Sequence, residues 1–231
     1  MLEAEGRVAM VSGAARGIGR AVVLKLLASG FSVSAGVRDR HGLPASNRLF
    51  AHRYDAEDPA SADAWAAATA DRFGRIDAVV AAAGINPMAR LLDRDDTALD
   101  ALWAVNVKGP KHLVRAAWPH LVASGSGRVA ILASLSGKRV ANENMGYAAS
   151  KFAAVALAHA IRREGWDHGI RATAICPGFV DTDMTAHVTR HPREQMSRPE
   201  DIAALIETVL RLPAHAVVAE LLVNCRLEPM L

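Results

Sequence analysis

The chain has 231 residues, 51% of them hydrophobic and 22% charged, with a formal net charge of +3. This length supports one α/β domain with a well-buried core and is short for two, so we expect a single catalytic domain over residues 1–231. The two cysteines exclude a disulfide framework and predict a reducing, cytoplasmic setting. No targeting peptide, membrane helix or Lys/Arg cluster is recognised, which predicts neither a membrane nor a nucleic-acid partner.

The first strand, turn and helix predict a phosphate site. An apolar run over residues 7–12 predicts a buried strand, and an apolar helix follows the turn from Ala21 to Ala28. A helix N-terminus presents unpaired N–H groups and the positive end of its dipole, and glycines allow a pyrophosphate to approach the backbone. The turn has the spacing Gly-x3-Gly-x-Gly, and the residues predicted to bind the dinucleotide here are Gly13, Arg16, Gly17, Ile18 and Gly19.

The end of the second predicted strand, residues 31–37, indicates which cofactor binds. In nucleotide-binding units an acid at this end binds the ribose 2′-hydroxyl, whereas a nearby arginine accepts a 2′-phosphate. Val37 occupies the position of the acid, Arg38 follows it, and Arg16 could reach the same phosphate. Two guanidinium groups directed at one dianion favour NADP(H) over NAD(H).

The remaining pattern alternates strands with helices. This predicts an α/β fold, a single-domain, Rossmann-like, doubly wound parallel sheet of about seven strands with helices on both faces. Asp55 and Ala56 follow the third strand and are predicted to contact the adenine. Residues 180–197 are polar and irregular and are predicted to form a lid. The further strands are expected at 49–54, 77–83, 128–133, 170–175 and 217–224, and the helices at 61–73, 97–122, 147–161 and 198–212.

Pro110 falls inside the predicted helix 97–122. A proline has no N–H to donate to the carbonyl four residues earlier. That carbonyl belongs to Asn106, and the sequence therefore predicts a free backbone oxygen at Asn106 that is able to hold a water molecule.

Tyr147 and Lys151 are one helical turn apart, so their side chains leave the same face of the predicted helix. A neighbouring lysine cation favours the phenolate and lowers the pKa of the phenol. The pair is then a plausible general acid/base for a carbonyl or alcohol oxygen. In isolation, the same five residues are also compatible with an exposed tyrosine and a solvated lysine.

Together these motifs resemble the short-chain dehydrogenase/reductase family over about the whole chain, in particular its NADP-dependent 3-oxoacyl reductase-like members. Residues 12–19 are similar to the family's Thr-Gly-x3-Gly-x-Gly turn, with Ser12 in place of the threonine. Ser134 precedes Tyr147 and Lys151 at the family's spacing, and residues 177–182 resemble its Pro-Gly-x3-Thr segment. One departure is clear, because the family's Asn-Asn-Ala-Gly is Ala-Ala-Ala-Gly at residues 81–84.

The resemblance implies hydride transfer between a nicotinamide and a ketone or secondary alcohol, with Tyr147 as general acid/base. Lys151 would lower the Tyr147 pKa and hold the nicotinamide ribose, and Ser134 would hydrogen-bond the substrate oxygen; Ser136 is an alternative donor. Asn106 would pass protons from Lys151 to solvent through a water. The implied catalytic residues are Asn106, Ser134, Tyr147 and Lys151, and the further cofactor contacts are Ala82, Ala83, Gly84, Pro177, Gly178, Val180 and Thr182.

Two other functional classes stay open: an isomerase or epimerase that uses a bound cofactor, and a non-catalytic nucleotide sensor or scaffold. The expected partners are a small-molecule carbonyl or alcohol substrate and a second copy of the chain. A homodimer or homotetramer would form through the helices containing Asn106 and Tyr147. No metal is expected: His187 and His191 are four residues apart, but Pro192 and the polar surroundings favour a loop.

Overall fold

The computed structural model describes residues 1–39, 42–189 and 191–228, so residue 190 of the predicted lid lies outside the described part of the chain. Seven parallel strands form one sheet in the order β3-β2-β1-β4-β5-β6-β7. The strands are β1 Val8–Ser12, β2 Ser32–Val37, β3 Leu49–Arg53, β4 Ala78–Ala81, β5 Arg128–Leu132, β6 Arg171–Pro177 and β7 Glu220–Val223. This confirms the predicted doubly wound α/β fold.

Six α-helices connect the strands: α1 Gly17–Ala28, α2 Pro59–Phe73, α3 Thr97–Trp103, α4 Gly109–Ala123, α5 Met145–Gly165 and α6 Pro199–Arg211. Short 3-10 helices cover Leu135–Gly137, Trp166–His168, Asp183–Thr185 and Arg193–Gln195. Among the described residues, none of these helices combines the length and the apolar character needed to cross a membrane.

The sheet separates two hydrophobic clusters because neighbouring residues of a strand point to opposite faces. Val11 in β1 and Val80 in β4 pack with α1 and α6 on one face. Met10 directly precedes Val11, and Val79 directly precedes Val80. These two residues pack with α2, α4 and α5 on the other face. Helices cover the central strand β1 on both faces, so all five of its residues are buried and only the last, Ser12, is polar.

The predicted helix 97–122 is in fact interrupted. α3 ends at Trp103, a π-helical segment spans Ala104–Lys108, and α4 starts at Gly109, whose N–H donates to Ala104 O five residues earlier. Pro110 therefore lies in the first turn of α4, where its missing N–H is tolerated. Residues 97–123 are therefore helical, as expected, but in three adjoining segments, and the hydrogen-bond pattern changes just before Pro110.

Gly36 in β2 faces the fully buried indole of Trp65 in α2, and a Cβ atom at residue 36 would lie 2.5 Å from that ring. We predict that Gly36→Ala lowers the free energy of unfolding by about 1–3 kcal/mol, the usual effect of overpacking a core. Chemical denaturation measures this change. Trp65→Phe removes the ring atoms that the methyl group would contact. The double variant should therefore lose less free energy of unfolding than the two single variants lose together. Strict additivity would contradict this explanation.

Candidate active site

A cavity of about 460 Å³ opens at the carboxyl ends of the strands. In open parallel sheets, ligands bind in the crevice at this edge, where the strand order reverses. The structure brings nearly all of the predicted site residues together here: the lining includes every one of them except Asn106 and Gly178. Their roles toward a ligand remain predictions.

The glycine turn approaches other backbone segments too closely for side chains. Gly13 has φ +64°, and a Cβ atom there would lie 2.8 Å from Ala83 N. A Cβ atom at Gly19 would lie 2.2 Å from Gly13 O. Gly17 begins α1, and Arg16 at the N-cap provides no side-chain acceptor. The first-turn N–H groups of α1, which need acceptors, thus adjoin the cavity without a capping side chain, which suits a phosphate oxygen.

Ser12 supports the chain where it leaves β4. Its hydroxyl oxygen accepts the N–H groups of Ala82 and Ala83, each at 3.1 Å. These residues fall in the stretch where the resemblance implied two asparagine amides. The hydroxyl at the end of β1 therefore supports a backbone whose own side chains are only methyl groups.

Asn106 lies in the π-helical segment with only 2% of its surface exposed, behind the cavity wall. Its Oδ1 accepts the N–H of Ile85 at 2.9 Å, and its Nδ2 donates to Ile85 O at 3.0 Å. Nδ2 also lies 3.1 Å from Ser150 Oγ, and the Ser150 hydroxyl donates to Tyr147 O at 2.8 Å. The side chain of Asn106 thus connects the segment after β4 to α5.

Ser134, Tyr147 and Lys151 line the cavity together. The Ser134 side chain lies close enough to the Tyr147 phenol to influence its pKa, and its hydroxyl donates to Pro177 O at 3.5 Å. Lys151 Nζ lies 5.6 Å from the centroid of the Tyr147 ring. Ser136 is absent from the cavity lining and instead donates its backbone N–H to Ser134 Oγ at 3.1 Å. Of the two candidate donors, Ser134 therefore has the position to meet a substrate oxygen.

The pKa values of this group differ from the expectation. Burial raises the pKa of the Tyr147 phenol from its ordinary value, and the nearby Ser134 side chain opposes that effect. Burial also lowers the pKa of Lys151 to about 8. The expectation that Lys151 lowers the phenol pKa was therefore wrong, because the phenol pKa is raised. The Lys151 ammonium group donates to Leu132 O at 2.8 Å rather than to the phenol oxygen.

The predicted lid begins against the glycine turn. Asp183 in its first 3-10 helix pairs with Arg16, with 3.1 Å between Nη1 and Oδ2, and both side chains are largely exposed. Thr182 lies beside Gly17, since a Cβ atom there would be 3.3 Å from Thr182 Cγ2. A β-bridge between Val180 and Ser197 joins the two ends of the segment. Sequence reasoning missed Asp183 because nothing local indicates a partner so far away in the chain.

A parallel doubly wound sheet with a glycine turn at this edge is the architecture of dinucleotide-binding proteins. Residues 7–193 match the family model described as short chain dehydrogenase. The chain therefore belongs to the short-chain dehydrogenase family, a class of oxidoreductases.

Three similar proteins illustrate this membership. An agropine synthesis reductase of Rhizobium rhizogenes is 37% identical over 96% of this chain, which spans only 53%, about half, of that relative. An uncharacterized oxidoreductase of Staphylococcus haemolyticus is 33% identical over 97% of this chain and 99% of its own. The solved short chain dehydrogenase from Burkholderia cenocepacia, in complex with NADP, aligns with a TM-score of 0.85 and 27% identity, covering 96% of this chain and 98% of that one.

Proposed function

We propose that this protein is an NADP(H)-dependent oxidoreductase that transfers a hydride between nicotinamide and a ketone or secondary alcohol, with Tyr147 as general acid/base. One observation carries the proposal: Ser134, Tyr147 and Lys151 share a single cavity with the uncapped N-terminus of α1. The names of the two relatives, a reductase and an oxidoreductase, support it. The proposed substrate is a small carbonyl or alcohol compound, and residues 1–231 would form one catalytic domain with a lid over 180–197.

The chain offers a binding group for each part of the cofactor. The first-turn amides of α1 would hold the pyrophosphate, and Arg16 and Arg38 the 2′-phosphate. Asp55 and Ala56 would contact the adenine. The backbone of Ala82, Ala83 and Gly84 and the segment Pro177, Gly178, Val180 and Thr182 would orient the nicotinamide. The bound cofactor supplies or accepts the hydride.

The side chains of Ser134, Tyr147 and Lys151 would bind the substrate oxygen and supply the proton that accompanies the hydride. The Tyr147 phenol is protonated at neutral pH, because its ordinary pKa is about 10 and burial raises it further. A general acid for carbonyl reduction must start in this protonated form. The Ser134 hydroxyl would donate a hydrogen bond to the substrate oxygen as negative charge develops there. Lys151, with a pKa of about 8, can return a proton to the phenolate at a physiological pH. A proton relay from Lys151 through a water on Asn106 remains a prediction.

We predict that Tyr147→Phe lowers kcat by about 10²–10⁴-fold, the usual contribution of a positioned proton donor. Oxidation of NADPH against a panel of carbonyl compounds measures the loss, and fluorescence titration should show nearly unchanged NADPH binding. Ser134→Ala should also lose activity, whereas the matched control Ser136→Ala should keep it. Full activity of Tyr147→Phe would contradict the proposal. Tight NADPH binding without turnover on any compound would instead favour a nucleotide sensor.

Arg38 lies exposed on the cavity wall, next to Val37 at the end of β2. We predict that Arg38→Asp raises the Kd for NADPH by about 10–100-fold, because a charge-assisted bond to the 2′-phosphate is lost, and leaves NADH binding nearly unchanged. Parallel titrations with both cofactors measure this difference. Arg72→Asp, an exposed position on α2, is the matched control. An equal loss of affinity for both cofactors would rule out a 2′-phosphate contact.

We also propose that the protein assembles as a homodimer or homotetramer through the helices around Asn106 and Tyr147, in the cytoplasm. Two aromatic side chains in this region are exposed, Trp103 at 38% and Phe152 at 44%, and aromatic residues are enriched at interfaces. The free thiols of Cys176 and Cys225 suit a reducing compartment. Sedimentation equilibrium should report a dimer or tetramer, which Phe152→Glu should weaken. A monomer at micromolar concentration would contradict the assembly.

A further inference from the structure

Asn144 is a buried amide at the start of the helix that carries Tyr147. It is the N-cap of α5, with 6% of its surface exposed. Its Oδ1 accepts the N–H groups of Tyr147 at 3.3 Å and Ala89 at 3.0 Å. Its Nδ2 donates to Asn86 Oδ1 and to Pro87 O, each at 2.9 Å. Two lone pairs and two N–H groups are the full capacity of an amide, so every hydrogen-bonding position of Asn144 is used.

Three of these bonds go to one stretch of chain, residues 85–89, which we call the β4 exit segment. The backbone strengthens the same contact, because Gly146 N donates to Ala89 O at 3.0 Å. A Cβ atom at Gly146 would lie 2.6 Å from the Ala89 side chain, so α5 and the segment touch without a gap. The start of the catalytic helix is therefore in direct contact with the β4 exit segment.

The other end of the segment is held by Asn106. Its amide bonds both backbone groups of Ile85, which lines the cavity, and reaches Ser150 on α5. Ser150 in turn donates to Tyr147 O. The backbone N–H and C=O of Tyr147 thus each belong to a hydrogen-bond network that ends on the β4 exit segment, one through Asn144 and one through Asn106.

We propose that Asn144 is a positioning residue for Tyr147: by binding Tyr147 N and the β4 exit segment with one side chain, it sets the place of the phenol relative to the cavity wall. This role rests on the proposed function of Tyr147 as general acid/base. It also explains how the chain tolerates methyl groups at Ala81 and Ala82. The support of the backbone after β4 comes from Ser12, Asn106 and Asn144 instead.

Three variants separate this role from simple helix capping. Asn144→Ser keeps a good N-cap oxygen for α5 but is too short to reach the β4 exit segment. Asn144→Asp keeps both acceptor positions, with a charge that a helix N-terminus favours, but its second carboxylate oxygen faces Asn86 Oδ1 and Pro87 O, two acceptors that the amide N–H groups of Asn144 bind. Asn142→Ala is the control, because Asn142 is exposed and its side chain accepts only the N–H of Asn144, at 3.0 Å.

Two measurements are made on each variant. The first is kcat per bound NADPH, with binding stoichiometry and Kd determined separately, so that inactive protein is not counted. The second is a spectrophotometric titration of the Tyr147 phenol in a Tyr54→Phe background, which is possible because the chain has only these two tyrosines. The phenol titration needs neither cofactor nor substrate.

For Asn144→Ser, we expect kcat per bound NADPH to fall at least about 10-fold with a Kd within about 3-fold of the parent. Its phenol pKa should move down toward the ordinary value near 10, because a misplaced ring is more solvated. Asn144→Asp should also lower kcat per bound NADPH, by at least about 3-fold, because its carboxylate caps α5 but repels the two oxygens of the β4 exit segment. Asn142→Ala should stay within about 2-fold.

The proposal is overturned if Asn144→Ser matches the parent in both kcat and phenol titration, because capping alone is then sufficient. It is equally overturned if Asn144→Asp, which also caps α5 well, matches the parent in both measurements. If the unaltered protein reduces no carbonyl compound, the proposed function fails on its own. The phenol titration then decides whether Asn144 positions Tyr147. An unshifted titration in Asn144→Ser rejects the role, and a shift supports it.

Discussion

The glycine turn lies so close to the backbone leaving β4 that no side chain fits between them. A Cβ atom at Gly13 would meet Ala82 and Ala83 at 2.8–2.9 Å, and one at Gly19 would meet Gly13 O at 2.2 Å. This close approach brings the N-terminus of α1 and the end of β4 to one cavity. The segments that follow the other central strands then complete the walls of the same cavity.

The segment after β4 has little support from its own side chains, so hydrogen bonds from elsewhere hold it. Ser12 at the end of β1, Asn106 in the π-helical segment and Asn144 before α5 come from three distant parts of the sequence and bind consecutive stretches of its backbone. Buried amides with all partners present give well-defined positions, because any displacement leaves a polar group unpaired. The structure thus surrounds Tyr147 with rigid contacts on the side away from the cavity.

Burial shifts the pKa values of the two central groups in opposite directions. It raises the pKa of Tyr147 and lowers that of Lys151 to about 8, so in each group the balance moves toward the neutral form, although Lys151 is still mostly protonated at neutral pH. A phenol that is protonated beside a lysine able to release its proton is suited to giving a proton to a substrate oxygen. The exposed pair between Arg16 and Asp183 is different, because solvent screening makes such contacts weak.

The amino-acid sequence by itself determined the seven-stranded doubly wound sheet and the grouping of its motif residues at one edge, because the periodicity of apolar residues and the spacing of glycines are local signals. It identified Ser134, Tyr147 and Lys151 by their spacing. Only the tertiary structure decided how Pro110 is accommodated, that burial raises the phenol pKa, and that Asn144 contacts the segment after β4. Those outcomes depend on desolvation and on contacts between residues far apart in the chain, and no local pattern encodes either.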